Sequence, residues 1–280
     1  MKVYISADIE GITGLVSWSQ CGRPNSDHYD YSFAREMMTH DVNAAIRGAK
    51  KAGATEIVVK DSHGNSKNLL IDKLEPGTQL ISGYGARHGG MMVGVDRSFT
   101  AAMLVGYHAM AGTPSAIMEH TLTGYIHRLW INDQEAGEIG LSTAVAGCYD
   151  VPIVMISSDT AGCVEAQKLQ PEIATAIVKD GFGRYMGQLK HPDETAAIIE
   201  EAARQGVEKA SSLDPWLPEV PTTIRIEFNR SEETDAAMKL IGTKRLDGYT
   251  VEYSGDSWAE VHQAAWQIIH YADLGHNCDR

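Results

Sequence analysis

The amino-acid sequence predicts an α/β protein, with a mostly parallel sheet flanked by helices in three layers and a smaller C-terminal α+β domain. Three patterns lead to this prediction. A strand, a helix and a second strand follow one another at the N-terminus, and apolar strands then alternate with helical segments up to about residue 190. After residue 190, two segments alternate strictly between apolar and polar residues. Strands that alternate with helices are typical of a parallel sheet with helices on its faces.

The N-terminal segment has the pattern of a βαβ unit. Residues 2–8 alternate between apolar and other residues, as a strand does, and residues 55–60 predict a second strand. Between them, residues 31–52 carry apolar side chains at helical spacing, and Gly53 stands where a helix stops. Because a crossover of this kind joins parallel strands, the segment predicts the start of a parallel sheet.

Strands and helices continue to alternate beyond this unit. The predicted strands cover residues 101–105 and 151–156, a hairpin arm covers 128–131, and predicted helices cover 138–149 and 160–169. After about Gly187, the chain predicts an amphipathic helix over 192–209, half-exposed strands at 223–228 and 249–254, and a closing helix over 257–274. We therefore expect an α/β metal-binding catalytic domain over 1–190 and a smaller α+β domain over 191–280.

Composition and charge exclude several classes of function. The 280-residue chain has 24 Lys and Arg against 37 Asp and Glu, which is a formal net charge of −13. Because such a chain repels phosphate backbones and anionic lipids, neither a nucleic acid nor a membrane is expected as a partner. The sequence has no apolar run of the roughly 20 residues that span a bilayer, and the N-terminal residues lack the pattern of a signal peptide. The four cysteines form no CxxC pair. These features predict a cytoplasmic, reduced protein.

Carboxylates and histidines follow several of the predicted strands. Asp8 and Glu10 end the first strand and point to the same face, His63 and His108 follow two others, and Glu138 opens a helix. Two histidines and three carboxylates suit a pair of divalent ions with one carboxylate bridging them. Each residue alone also fits a structural role, for example Glu138 as a charge that complements the helix dipole. Their convergence at one edge of the sheet favours a metal site.

A further histidine, His120, lies 12 residues beyond His108, in a segment that can fold back over the same edge. A histidine close to metal ions but not bound to them is a candidate for acid–base catalysis, because its ordinary pKa of about 6.5 lies near neutrality. His88, in a glycine-containing segment, is a candidate for lining a substrate entrance.

Five motifs, in register, carry a resemblance to a known family. They are Ser6-Ala-Asp-Ile-Glu-Gly11, Asp61-Ser-His63, Gly106-Tyr-His108, the Glu119-His120 step and Gly137-Glu-Ile-Gly-Leu141. Together with Ile131-Asn-Asp133 they resemble, in the same order, the zinc-dependent D-aminopeptidase family of the DppA type. The similarity runs from residue 1 to about residue 160 and is thinner through residues 226–228.

The resemblance implies two Zn²⁺ ions per subunit. Asp8 would bridge them, Glu10 and His108 would complete one site, and His63 and Glu138 would complete the other. His120 would correspond to the catalytic histidine of the family, as nucleophile, general acid–base or oxyanion ligand. The resemblance also implies a homo-oligomeric ring, with a decamer as one candidate assembly. The loop between His108 and His120 is one residue longer than the family pattern, which affects substrate preference more than metal binding.

The predicted function is that of a metallo-aminopeptidase, which uses a metal-activated water and the catalytic histidine. Its substrates would be short peptides or amino-acid amides, from which it releases N-terminal amino acids of D configuration. Two alternatives remain open at this stage: another dinuclear metal hydrolase, such as an amidase or a phosphoesterase, and a non-catalytic protein that binds metal or peptide. A phosphoesterase would need cations at the site, and only Lys60 and Arg87 lie near enough in the sequence.

Overall fold

The computed structural model describes residues 1–21, 30–85 and 89–278. Within these residues the strands are β1 (Lys2–Ala7), β2 (Glu56–Asp61), β3 (Thr78–Ile81), β4 (Ala101–Val105), β5 (Ile126–Ile131), β6 (Gln134–Glu135), β7 (Ile153–Asp159), β8 (Ala174–Gly183), β9 (Met186–Leu189), β10 (Thr222–Phe228), β11 (Lys244–Arg245) and β12 (Thr250–Gly255). The α-helices are α1 (Tyr31–Lys51), α2 (Glu138–Gly147), α3 (Thr160–Leu169), α4 (Pro192–Glu208), α5 (Ser231–Ala237) and α6 (Trp258–His276).

The larger of two sheets has seven strands in the order β3-β2-β1-β4-β7-β8-β9. All neighbouring pairs in it are parallel except β8 and β9, which form an antiparallel hairpin at one edge. The order reverses at β1, since the chain first builds outward through β2 and β3 and then returns to the other side with β4. The mostly parallel sheet predicted from the sequence is therefore confirmed.

Both faces of this sheet are covered. In β1, Val3 and Ile5 belong to a core that also contains the buried residues of α1 and α4, whereas Tyr4 packs into a second core with residues of α2, α6 and the smaller sheet. A strand buried on both faces is apolar on both faces, which explains the run of apolar residues in β4. The predicted layered arrangement, with helices flanking the sheet, is confirmed.

The smaller sheet is antiparallel, with the strand order β11-β12-β10-β5-β6, and α5 and α6 pack against it. In β10, buried and half-buried residues alternate along the whole strand, with Ile224, Ile226 and Phe228 buried. This alternation is the one expected from the sequence, and it is typical of an antiparallel strand with one face toward the core.

The predicted boundary near residue 190 does not coincide with the border between the two sheets. Strands β5 and β6 precede residue 190 but pair in the smaller sheet, and α4 follows it but packs against α1 on the larger sheet. The chain therefore crosses between the sheets more than once. The division into domains 1–190 and 191–280 stays a prediction.

The sequence patterns do not predict three strands of the larger sheet, β3, β8 and β9. β3 has only four residues, and β8 contains Lys179 and Asp180, which interrupt its apolar pattern. Lys179 is fully buried because main-chain carbonyl groups of a distant loop accept its hydrogen bonds. Separately, none of the helices in the described ranges has both the length and the apolar character needed to cross a bilayer.

Candidate active site

Four of the predicted site residues lie where neighbouring parallel strands end. Asp8 follows β1 directly, His63 follows β2 and His108 follows β4, and β1 lies between β2 and β4 in the sheet. Glu10 comes two residues after Asp8 in the same turn. Because the carboxyl ends of parallel strands meet at one edge, the fold brings these side chains together next to the point where the strand order reverses.

The remaining carboxylate comes from the other sheet. Glu138 is the first residue of α2, and α2 starts directly after the β5–β6 hairpin of the smaller sheet. Its side chain is buried, and its Oε1 accepts a hydrogen bond of 2.7 Å from the backbone N–H of Leu122. The site therefore lies between the two sheets and needs both of them to be complete.

Two glycines allow the segments after β1 and β4 to come close. A Cβ atom on Gly11 would lie 1.8 Å from the carbonyl oxygen of Tyr107, and one on Gly106 would lie 2.4 Å from that of Asp8. Gly106 also has a φ of +73°, which side chains disfavour. The glycines in the Asp-Ile-Glu-Gly and Gly-Tyr-His motifs thus have a physical role: they allow the turns that carry Asp8, Glu10 and His108 to pack together.

Asp8 is the centre of the cluster. Its Oδ1 lies 3.3 Å from Nδ1 of His63 and its Oδ2 lies 3.5 Å from Nε2 of His108. On one side, Nδ1 of His63 is 3.1 Å from Oε2 of Glu10, and on the other, Nε2 of His108 is 3.3 Å from Oε1 of Glu138. Asp8 therefore joins two carboxylate–histidine pairs.

The cluster has the properties of a cation site. Asp8 and His108 are 2% and 1% exposed, yet Oδ2 of Asp8 and Nε2 of His108 have no hydrogen-bond partner among the residues that the structure describes. Buried polar atoms are almost always paired, so two unpaired atoms 3.5 Å apart point to a ligand that both would contact. Nδ1 of His108 lies 3.0 Å from the carbonyl oxygen of Ala109, which can only accept, so Nδ1 carries a proton, and the neutral ring would offer the lone pair of Nε2 to a metal.

Distances within the cluster also fit metal binding. Among the residues that the structure describes, ligand atoms of Asp8, Glu10 and His108 lie within 4.8 Å of one another, and so do those of His108, His120 and Glu138. A donor set of imidazole and carboxylate groups suits Zn²⁺. The residues present therefore fit the metal that the sequence analysis expects.

The charges in the cluster depend strongly on one another. Burial raises the pKa of Asp8 to about 7, and the nearby Glu10 carboxylate adds to the rise. Burial alone would also raise the pKa of Glu10 and of Glu138, but His63 beside Glu10 and His108 beside Glu138 hold both pKa values below their usual range. Conversely, burial would lower the pKa of His63 and of His108, but the carboxylates raise both. Three buried carboxylates thus require positive charge close by, which bound divalent cations also provide.

His120 lies beside the cluster. Its ring stacks on that of His108, with centroids 4.2 Å apart, and its Nε2 is 3.6 Å from Oε1 of Glu138. Nδ1 of His120 lies 3.0 Å from the carbonyl oxygen of Met118, which leaves the lone pair on Nε2, toward the cluster. Burial, followed by the neighbouring His108, lowers the pKa of His120, so the ring is neutral near pH 7 and can accept a proton.

Trp18 forms one wall of the site, a role that the sequence does not predict. Its ring packs edge-on against that of His120 at 5.5 Å between centroids, and its indole N–H donates to Oε1 of Glu10 at 3.3 Å. Trp18 lies in a loop, and its contacts depend on how that loop folds over the sheet edge. No local pattern in the sequence marks it.

Two buried charged residues, which no sequence pattern predicts, support the turns that carry the ligands. Nζ of Lys179 donates to the carbonyl oxygens of Glu10, Ile12 and Leu15 at 2.6, 2.9 and 2.8 Å. Glu165, in α3, accepts a 2.7 Å hydrogen bond from the N–H of Met110, two residues after His108. They come from strand and helix positions far away in the chain, so only the tertiary structure shows that they hold the ligand-bearing turns.

Some sequence-based candidates do not reach the site or are not described. Lys60 is buried, and its Nζ donates to Oγ of Ser66 at 2.7 Å and to the carbonyl oxygen of Asp61, so its ammonium group is already bonded within the protein. Arg87 and His88 lie outside the described residues. Lys60 is therefore not available as one of the positively charged side chains that a phosphoesterase needs to bind a phosphate group.

Comparisons with known proteins agree with this geometry. The family model for the M55 peptidases, described as D-aminopeptidase, matches residues 1–266. A D-aminopeptidase of Bacillus subtilis (strain 168) is 34% identical over 267 residues, which cover 94% of this chain and 95% of that protein.

A solved structure is also similar. It is that of the Zn-dependent D-aminopeptidase DppA from Bacillus subtilis, described as a self-compartmentalizing protease. It superposes with a TM-score of 0.92 at 33% identity, and the match covers 98% of each chain. The resemblance inferred from the five motifs is thereby confirmed, and the chain belongs to the M55 peptidase family of D-aminopeptidases.

Proposed function

We propose that this protein is a zinc-dependent aminopeptidase that releases N-terminal D-amino acids from short peptides or amino-acid amides. The observation that carries the proposal is the buried cluster around Asp8, with unpaired ligand atoms on Asp8 and His108 and with His120 beside it. Membership in the M55 family and the zinc dependence of the similar Bacillus subtilis enzyme support the choice of metal and of reaction.

We propose two zinc ions per subunit, with Asp8 as the shared ligand. Following the resemblance, Glu10 and His108 would complete one site, and His63 and Glu138 would complete the other. Within the described residues, ligand atoms of Asp8, Glu10 and His108 lie within 4.8 Å of one another, which supports the first of these sites. His63 lies 3.1 Å from Glu10 and His108 lies 3.3 Å from Glu138, so the ligands of the two sites form one compact cluster.

The protein's own residues then have distinct tasks in peptide hydrolysis. Zinc in such a site polarises the scissile carbonyl and lowers the pKa of a water molecule. His120, neutral and with its Nε2 lone pair toward the cluster, accepts a proton and delivers it to the leaving amine. Trp18 packs edge-on against His120 and covers one side of the site.

We also propose that the subunits assemble into a ring, with a decamer as the candidate size. The support is the self-compartmentalizing character of the similar enzyme, which requires an enclosed assembly. Light scattering of the purified protein tests this: the mass of a ten-subunit particle is expected, and the mass of a monomer would contradict it. The cytoplasmic location expected from the sequence stays a prediction.

An activity panel tests the function. The purified protein, loaded with zinc, should hydrolyse D-alanyl-D-alaninamide much faster than its L,L counterpart, and a chelator should abolish the activity. Hydrolysis of the L peptide only would contradict the stereochemical part of the proposal. Hydrolysis of phosphate esters without amide hydrolysis would favour another dinuclear hydrolase, and zinc binding without any turnover would favour a metal-binding protein.

A further inference from the structure

The turn between β8 and β9 lies against the segment that carries His120. The N–H of Met118 donates to the carbonyl oxygen of Arg184 at 2.7 Å, and Nη2 of Arg184 donates to that of Glu119 at 3.0 Å. The carbonyl group of Glu119 is bonded directly to the amide nitrogen of His120. The guanidinium of Arg184 is therefore only one residue away from the proposed catalytic histidine.

Arg184 also belongs to the wall that Trp18 forms. Its guanidinium carbon lies 5.1 Å from the centroid of the Trp18 ring, and Trp18 in turn contacts His120 and Glu10. Arg184, Trp18 and His120 thus lie side by side at the rim of the metal cluster.

Arg184 differs from other cations near the ligand-bearing segments in being accessible. Lys60 and Lys179 are buried, and their ammonium groups are occupied by neighbouring oxygen atoms. The side chain of Arg184 is 42% exposed. Its Nε pairs with Oε1 of Glu119 at 3.4 Å and its Nη2 donates to the Glu119 carbonyl, whereas Nη1 makes no hydrogen bond among the described residues.

The bonds to Glu119 hold the guanidinium in place without blocking it. The second carboxylate oxygen of Glu119, Oε2, is held by the N–H of Gly112 at 2.7 Å, so the Glu119 side chain is itself fixed. An ion pair of this kind at a partly exposed position is weak, and water or another carboxylate can replace it. An oriented guanidinium with a free N–H group is suited to bind a second carboxylate.

We propose that Arg184 binds the free C-terminal carboxylate of a short peptide substrate. The inference rests on the proposed aminopeptidase function, and it deepens it by naming the substrate class: short peptides with an uncapped carboxyl end. Because the chain has a net charge of −13, which repels a peptide carboxylate, an accessible arginine at the rim would favour the binding of such a substrate.

Two substrates that share the scissile bond test the proposal. D-alanyl-D-alanine has a free carboxylate, and D-alanyl-D-alaninamide has the same bond with that carboxylate capped. We expect the Arg184→Met variant to lose about 10- to 100-fold in kcat/KM for the dipeptide, mainly through KM, as for loss of a hydrogen bond between charged groups. The ratio of kcat/KM for the dipeptide to kcat/KM for the amide should therefore fall by about 10- to 100-fold. Arg184→Lys should recover part of the loss, because lysine keeps the positive charge but lacks the two parallel N–H donors of a guanidinium.

The ratio of the two kcat/KM values separates recognition from structure. If Arg184 only supports the His120 segment, both substrates will lose activity equally, the ratio will not change, and the proposal is refuted. Arg225→Met is the matched control. The guanidinium carbon of Arg225 also lies over a tryptophan ring, 4.8 Å from the centroid of Trp130, but Arg225 belongs to the smaller sheet and not to the metal cluster. This variant should leave the ratio unchanged. If the wild-type protein hydrolyses neither substrate, the aminopeptidase function itself fails. If it hydrolyses both and Arg184→Met does not change the ratio, only this inference fails.

Discussion

Replacing Glu165 with Gln should make the protein more stable at neutral pH. Glu165 is buried in α3, and its Oε2 accepts a hydrogen bond from the N–H of Met110, whereas its Oε1 has no partner in the described part of the chain. Burial raises the pKa of Glu165 from 4.5 to about 7. Burial therefore stabilises the neutral form of this carboxyl group relative to the ionised form in the folded protein. Gln is a neutral side chain of the same shape.

The size and sign of the effect follow from this pKa. The difference between about 7 in the folded protein and 4.5 in the unfolded chain corresponds to about 3 kcal/mol, at roughly 1.4 kcal/mol per pKa unit. Because the folded state binds the proton more tightly, the contribution of Glu165 to stability is fully present below pH 4.5 and is lost as the pH rises through 7. Gln does not titrate, so the stability advantage of Glu165→Gln over wild type should grow by about 3 kcal/mol between pH 4.5 and 8.

Urea unfolding of both proteins at several pH values measures this difference. The protein should first be treated with a chelator, so that no cation adds to the field at Glu165. The exposed Glu172→Gln variant controls for the change in net charge, and its difference from wild type should change little with pH. A constant difference between Glu165→Gln and wild type from pH 4.5 to 8 would refute the argument.

Two further predictions concern the residues that act in the site or hold it. His120→Ala should reduce turnover at least 100-fold and leave the zinc content unchanged, because His120 moves a proton and is not needed as a ligand. Activity assays and elemental analysis measure the two quantities. Full activity or a loss of zinc would contradict the role of His120. Lys179→Met should lower the free energy of unfolding by at least about 2 kcal/mol and should weaken zinc binding. The substitution leaves three buried carbonyl groups without a hydrogen-bond donor, and each unpaired group costs about 1–3 kcal/mol. Lys190→Met, which removes one hydrogen bond to the carbonyl of Ile177, is the control in the same urea and zinc-competition measurements, and equal losses would contradict the role of Lys179.

Much of the fold could be predicted because its elements carry local patterns. The alternation in β1 and β10 and the helical spacing in α1 depend on neighbouring residues only, and the structure has all three elements near the expected bounds. β8 was missed because its Lys179 is buried through hydrogen bonds to a loop far away in the sequence. The pairing of β5 with β10 across the predicted domain boundary is likewise a tertiary property that no local pattern contains.

The candidate site could be predicted in its ligands but not in its surroundings. Asp8, His63 and His108 were accessible to sequence reasoning because the ends of parallel strands meet at one edge, whichever loops follow. Trp18 and Arg184 reach the site from a loop and from a hairpin turn, and their positions depend on how these segments pack on the His120 segment.

The zinc content of purified wild-type protein and of the Asp8→Asn variant tests the central claim most directly. Asn keeps the size of the side chain and an oxygen atom that can accept the N–H of Ile9, as Oδ1 of Asp8 does, but it lacks the charge and the second oxygen needed to bridge two ions. Elemental analysis should find two zinc ions per subunit in the wild type and fewer than one in Asp8→Asn. Equal zinc content in the two proteins, or a wild type that retains none after loading, would contradict a dinuclear site centred on Asp8.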